Sequence, residues 1–387
     1  MNNQTRLNER WPGRLALMVA HCAGMVDLVA LPVWVGALIS HYGLTPQRAG
    51  ALATLFLLGA VAASLFWSPR FHRARPALVA PCGFALAALA FVGLAGTGDF
   101  ALMALLHALA GAAAGSALSM THGSMGRSRN PHRMFALAGM ALGVFAIAFL
   151  GLTPGLVATA GGAALFLVFA GVMLVAAAVA AVAFPTGDAA AAGTGHAAAP
   201  GRLSTAVWFA ALGIACMGLV QAMLFSFLER IGVDRGFTPA AVTGVLIALG
   251  FVNLLPAPLA ALLQRRWPAR RVVLGGPVVQ AALALTIATS SGYLPYAIAG
   301  ALFAAVMIFT HTFAFGLVAQ LDPGGRALSA TPAMLMVGAA IGPLLGGTLV
   351  QHAGYGMLGS AAVALAVLAV YCFAQAGRHP ATAAAPT

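Results

Sequence analysis

GLTPQRAGALATLFLLGAVAASLFWSPRFHRAR, residues 43–75, opens on a turn and closes on a cluster of arginines. Between them lies an apolar stretch of about 20 residues, the length a helix needs to cross hydrocarbon. Residues 236–271, GFTPAAVTGVLIALGFVNLLPAPLAALLQRRWPARR, repeat the order. Gly43-Leu-Thr45-Pro46 matches Gly236-Phe-Thr238-Pro239 at an offset of 193, and SPRFHRAR answers to QRRWPARR. A second match sets Cys22-Ala-Gly24-Met-Val26-Asp27 against Cys216-Met-Gly218-Leu-Val220-Gln221, at an offset of 194. A third, weaker match sets Gly111-Ala112 and Thr121-His122 against Gly300-Ala301 and Thr310-His311, at 189. Each is short enough to arise by chance. Three in register, in the order that duplicated halves require, predict an internal repeat.

Working outward, apolar runs of spanning length recur at 13–38, 48–68, 77–96, 101–122, 134–157, 162–184, 205–228, 240–263, 271–290, 294–317, 330–350 and 356–375. Barrel strands are about 10 residues long and alternate polar with apolar, which these runs do not. The expected fold is an all-α membrane protein, with twelve transmembrane helices in two pseudo-symmetric six-helix bundles. Residues 1–184 form the first bundle and 205–387 the second, with a disordered tail after Arg378. Residues 185–204, PTGDAAAAGTGHAAAPGRLS, lack apolar bulk and read as a flexible linker.

Composition agrees. Of 387 residues, 61% are hydrophobic and 7% charged, with a mean hydropathy of +0.97. A soluble domain carries about 25% charged residues. The net charge of +12 would ordinarily point to nucleic acid, but all 19 basic residues are arginine and lie in short clusters between apolar runs. Sixteen of them fall in the segments on one side if the runs alternate, and only Arg48, Arg230 and Arg235 on the other. The positive-inside rule then places both termini and the linker in the cytoplasm of a bacterial-type inner membrane. Without lysine, a phosphate-binding P-loop and a Schiff-base cofactor are excluded. Cys22, Cys82, Cys216 and Cys372 form no Cys-x-x-Cys pair, so neither disulfides nor a zinc site are expected. No His-Glu-x-x-His or Gly-x-Ser-x-Gly is present. Neither an enzyme nor a cofactor is expected. The first apolar run reads as a retained helix, since its polar leader is long and no early cleavage site follows.

Two six-helix repeats, a central loop and basic loops between helices 2–3 and 8–9 resemble the major facilitator superfamily. Gly338-Ala-Ala-Ile-Gly342-Pro343-Leu-Leu-Gly346-Gly347 in helix 11 is similar to that family's Gly-Pro-Gly pattern. Its small residues are expected to let helices approach closely. The family's Gly-x-x-x-Asp-Arg-x-Gly-Arg loop is matched at Arg70 and Arg73, with Pro69 in place of the Asp and His72 in place of the glycine. The resemblance implies a monomeric carrier of a small molecule. Helices 1, 4, 7 and 10 would line a central cavity, and Arg70 and Arg73 would belong to a gate.

Asp27 is the one acid well inside a span, where a charge costs about 3 kcal/mol or more. It is expected to bind substrate or carry a proton, with Gln221 as its repeat partner and Gly24 and Pro32 loosening the helix around it. Asp27 also precedes Ala30-Leu31-Pro32, a weaker likeness to drug/proton antiporters. His21, His122 and His311 are further candidates for proton transfer, since histidine titrates near neutrality. His107, Asn253 and Thr310 are candidates for substrate contact. Glu229 and Arg230, with Asp234 and Arg235, read either as a solvated cap or as an outer gate. Beyond these, the cavity helices offer only Ser116, Ser119, Ser226 and Thr312. With no arginine inside a span to clamp an anion, apolar, neutral or cationic solutes fit best. The expected function is proton-coupled efflux of such a compound by alternating access. Uptake of a small metabolite is the first alternative. The second is import of a soft metal such as copper through Met18, His21, Cys22 and Met25, which share one side of helix 1.

Overall fold

The computed structural model describes residues 10–128, 130–185, 203–264, 266–322 and 331–378. Most of the expected linker, the tail beyond Arg378, and Arg6, Arg129, Arg202, Arg265 and Arg326 lie outside them. The described residues form helices α1 (Trp11–Gly24), α2 (Val26–Tyr42), α3 (Pro46–Trp67), α4 (Pro76–Ala95), α5 (Phe100–Gly126), α6 (Pro131–Ala160) and α7 (Gly162–Ala183). They continue as α8 (Thr205–Phe225), α9 (Leu228–Asp234), α10 (Pro239–Val252), α11 (Pro256–Leu263), α12 (Ala269–Thr289), α13 (Tyr293–Leu321), α14 (Thr331–Ala353) and α15 (Gly356–Ala376). Twelve membrane-capable spans result, because α1–α2, α8–α9 and α10–α11 are interrupted single crossings. The expected all-helical class and span count hold. Two compact units, Met1–Gly195 and His196–Thr387, contain six spans each.

The repeated Gly-x-Thr-Pro is a helix-start device built twice. Gly43 and Gly236 take φ of 62° and 79°, which suits glycine. Thr45 and Thr238 then cap the next helix by accepting from the backbone N–H of Arg48 (3.3 Å) and Ala241 (3.2 Å). Pro46 and Pro239 fill the first helical position, where a missing N–H costs nothing.

The interruptions have separate causes. In span 1 the break falls at Met25 (φ −106°, ψ 19°), next to Gly24, whose missing side chain admits Leu118 of span 4. In span 8, Pro256 and Pro258 have no N–H to offer the carbonyls of Val252 and Leu254. The chain tightens there, with Leu254 N–H bonding Phe251 O at 3.2 Å and Leu255 N–H bonding Val252 O at 3.1 Å. In span 7 the break is at Ser226–Phe227, and just past it the carbonyl of Leu228 accepts from the Tyr296 hydroxyl of span 10 at 2.7 Å.

The units differ in where their helices approach most closely. In the first, Gly59, Gly111 and Gly115 seat spans 2 and 4 backbone to backbone. In the second, Gly338, Gly342 and Gly346 seat span 11 on span 7, against Ala215, Ala222 and Met223. The expected close approach of the helix 11 glycines is thus found, and span 7 is its partner. Aromatic rings fill the first unit's core, with Trp34 edge-on to Phe56 (5.2 Å) and Phe169 (4.9 Å).

Candidate functional site

Each unit carries its own polar groups. In the first, His21 and His122 come together: Nδ1 of His21 lies 3.0 Å from Nε2 of His122. The rings are tilted by 38° with centroids 5.1 Å apart, and His21 is only 8% exposed. One nitrogen of the pair carries the proton and the other accepts it, so the contact shares one proton between spans 1 and 4. Phe135 of span 5 stands edge-on to His122 at 5.6 Å.

Asp27 follows in the first turn of α2, just past the interruption. That position sets its carboxylate beside the first backbone N–H groups of α2. These are the N–H groups that a helix start leaves without intrahelical partners. The broken helix therefore offers an anion some compensation, about 0.3–1 kcal/mol from its aligned dipoles. This half-buried acid lies six positions along the chain from His21 of the pair.

His107 sits apart from that pair. It is fully buried, stacked on Trp34 at 5.5 Å, and its Nδ1 donates to Met103 O at 2.7 Å. Its Nε2 and the Trp34 Nε1 are buried without a hydrogen-bond partner among the described residues. Arg70 folds back onto its own helix, donating to Phe66 O at 3.0 Å and covering the Phe66 ring, while Arg73 is exposed.

In the second unit Gln221, the repeat partner of Asp27, is a buried interhelical contact. Gln280 of span 9 donates to its Oε1 at 3.4 Å and to Met217 O at 3.2 Å. His311, the repeat partner of His122, donates instead to Met307 O of its own helix at 3.0 Å. The reason is legible: the position answering to His21 is Ala215, which offers it no ring. Thr310 is buried against Gly276 of span 9. Asn253 caps α10 at the span 8 interruption, with its Oδ1 buried and without a partner among the described residues.

Glu229 departs from a solvated cap, since its Oε2 is buried and has no partner among the described residues. Its neighbour Arg230 turns to Asp234, with Nε and a terminal nitrogen on the two carboxylate oxygens at 3.0 and 2.7 Å. The Tyr355 hydroxyl donates to Asp234 at 2.6 Å; burial first, and then that carboxylate, push this phenol above its ordinary range. Arg235 closes the end of span 9 by donating to Ile287 O (2.6 Å) and Ala288 O (2.7 Å), and burial lowers it.

The model of the Major Facilitator Superfamily matches residues 16–324. The chain belongs to the Major Facilitator Superfamily. Among solved structures, this facilitator resembles the nucleoside transporter NupG, with 13% identity and a TM-score of 0.74, over 95% of this chain and 99% of that one. It also resembles a bacterial homologue of the human lysosomal transporter Spinster in an inward-facing, occupied conformation. That match has 12% identity and a TM-score of 0.69, over 94% and 96% of the two chains. At such identities the likeness is one of fold. No curated protein matches the sequence.

The soft-ligand set of helix 1 is divided in this facilitator. Met18 and Cys22 line an apolar pocket with spans 5 and 6, while His21 faces His122. Among the described residues no three His, Cys, Asp or Glu side chains gather as a metal cluster. The hydroxyls of Ser116, Ser226 and Thr312 bond carbonyls one turn back in their own helices, and Ser119 does so while also reaching Ser64 at 3.1 Å. Gln280 and Tyr296 were missed by the sequence reading. Gln280 breaks an apolar run as Asp27 does, and Tyr296 stands at the position that answers to His107.

Proposed function

We propose that this facilitator is a proton-coupled secondary transporter that exports an apolar, neutral or cationic organic solute by alternating access. It works as a monomer in an inner membrane with both termini cytoplasmic, the side to which sixteen of its nineteen arginines are assigned. The observation that carries this reading is the 3.0 Å contact between His21 and His122. With one shared proton it ties span 1 to span 4. A second proton makes both facing nitrogens donors, and the contact becomes repulsive. Protonation and helix contact are then linked, which is what coupling requires. Asp27 takes up or releases the proton on the other side of the span 1 interruption. The division of Met18 and Cys22 from His21 disfavours the metal reading.

Proteoliposomes holding a pH-sensitive dye, with an imposed proton gradient and tetraphenylphosphonium as the probe cation, test this. Wild-type protein is expected to move protons against the probe. Asp27→Asn and His122→Phe are expected to abolish that coupling. Wild-type pH dependence in Asp27→Asn would overturn the assignment.

A further inference from the structure

Spans 8, 9 and 10 enclose a groove of about 700 Å³ that none of the proton-handling residues touches. Its floor is span 10, from Leu302 to Phe309 and Thr310, and its walls include Leu255 and Leu259 of span 8 and Gly275 and Val279 of span 9. The groove follows from the fold. Span 8 is interrupted at Asn253–Leu255, and spans 8 and 10 lack the glycine seam that closes spans 2 and 4. The wall is apolar and open to the surroundings, with Leu255 63% exposed.

One end of the groove is different. Arg266, Trp267 and Arg271 close it, and Trp267 stands edge-on to Phe309 at 6.0 Å. Of the arginine cluster at this loop, Arg270 lies against Gly377 at the end of span 12. Arg266 and Arg271 have no partner among the described residues and border the groove instead. Two free guanidinium groups at the mouth of an apolar slot match an amphiphile with a phosphate head, since arginine binds phosphate in a fork. Tryptophan belongs at the same depth, where headgroups meet hydrocarbon. The length also fits. From Arg271 to Leu283, span 9 rises about 18 Å at 1.5 Å per residue. One leaflet of hydrocarbon is about 15 Å deep, half of a typical core.

We infer that this groove is a binding site for an anionic glycerophospholipid of the leaflet that faces the arginine-rich loops. Arg266 and Arg271 hold the phosphate, and an acyl chain lies along Gly275 and Val279. The first unit offers no counterpart, because Arg70 is spent on Phe66 and glycines close spans 2 and 4.

The test is native mass spectrometry of the detergent-purified protein. It is titrated with phosphatidylglycerol, with phosphatidylcholine of the same acyl chains, and with inorganic phosphate. Wild-type protein is expected to retain phosphatidylglycerol at least several-fold over phosphatidylcholine. Arg266→Gln/Arg271→Gln is expected to erase that preference. Gly275→Leu fills the groove, and a Cβ there meets nothing within 4 Å, so it is expected to fold and to lose the same adduct. Arg75→Gln/Arg378→Gln removes the same charge elsewhere and is expected to keep the preference. Equal retention of the two lipids, an unchanged preference in either groove variant, or displacement of lipid by inorganic phosphate would overturn the site.

Discussion

Glu229 has a carboxylate oxygen that neither solvent nor a side chain contacts among the described residues. The nearest cation in sequence, Arg230, is committed to Asp234 through two contacts, and Asp234 takes a further bond from Tyr355. Leaving a buried polar atom unpaired costs about 1–3 kcal/mol, and more for a charge. Glu229→Gln keeps the shape and removes the charge, so it is expected to raise the melting temperature in detergent at pH 8. A lower melting temperature would mean that Arg230 stabilises the acid despite its bonds to Asp234. The histidines show how far a sequence carries at this scale. That His21, His107, His122 and His311 lie inside spans is plain from hydropathy. That His21 meets His122, 101 residues away, depends on how two helices are rotated about their axes, which periodicity does not encode in an all-apolar run. The different posture of His311 was within reach, since Ala215 occupies the place that would have held its partner.

Among the helices, the run boundaries were legible to within a few residues because lipid imposes length and apolarity together. The interruptions were legible unevenly. Pro256 and Pro258 announce the span 8 break, and Gly24 marks the span 1 break beside Met25. Ser226 and Phe227 carry no comparable signal, and that break is known from the backbone, where Phe227 N–H bonds Leu224 O at 3.0 Å. Glycines separate seam from surface just as sharply. At Gly338 an added Cβ meets the carbonyl oxygen of Ala215, so Gly338→Ala is expected to destabilise the second unit by about 1–3 kcal/mol. At Gly244, in α10, nothing lies within 4 Å, and Gly244→Ala is expected to stabilise by about 0.4–1 kcal/mol. Thermal melts of the two single variants check both signs.

For the molecule as a whole, the arginine distribution makes a claim about sidedness that apolar helices alone do not. With both termini cytoplasmic, alkaline phosphatase fused after Arg378 is expected to be inactive, and fused after Thr97 active. The reverse pattern would invert the orientation. The repeat was visible in the Gly-x-Thr-Pro turns because their chemistry demands those residues. What was not visible is that the two units hold themselves together differently, through spans 2 and 4 in one and spans 7 and 11 in the other. The two halves share their turns and differ in their glycine joint. The halves are not interchangeable. A chimaera made of the first half twice would inherit the 2–4 joint in duplicate and the 7–11 joint not at all.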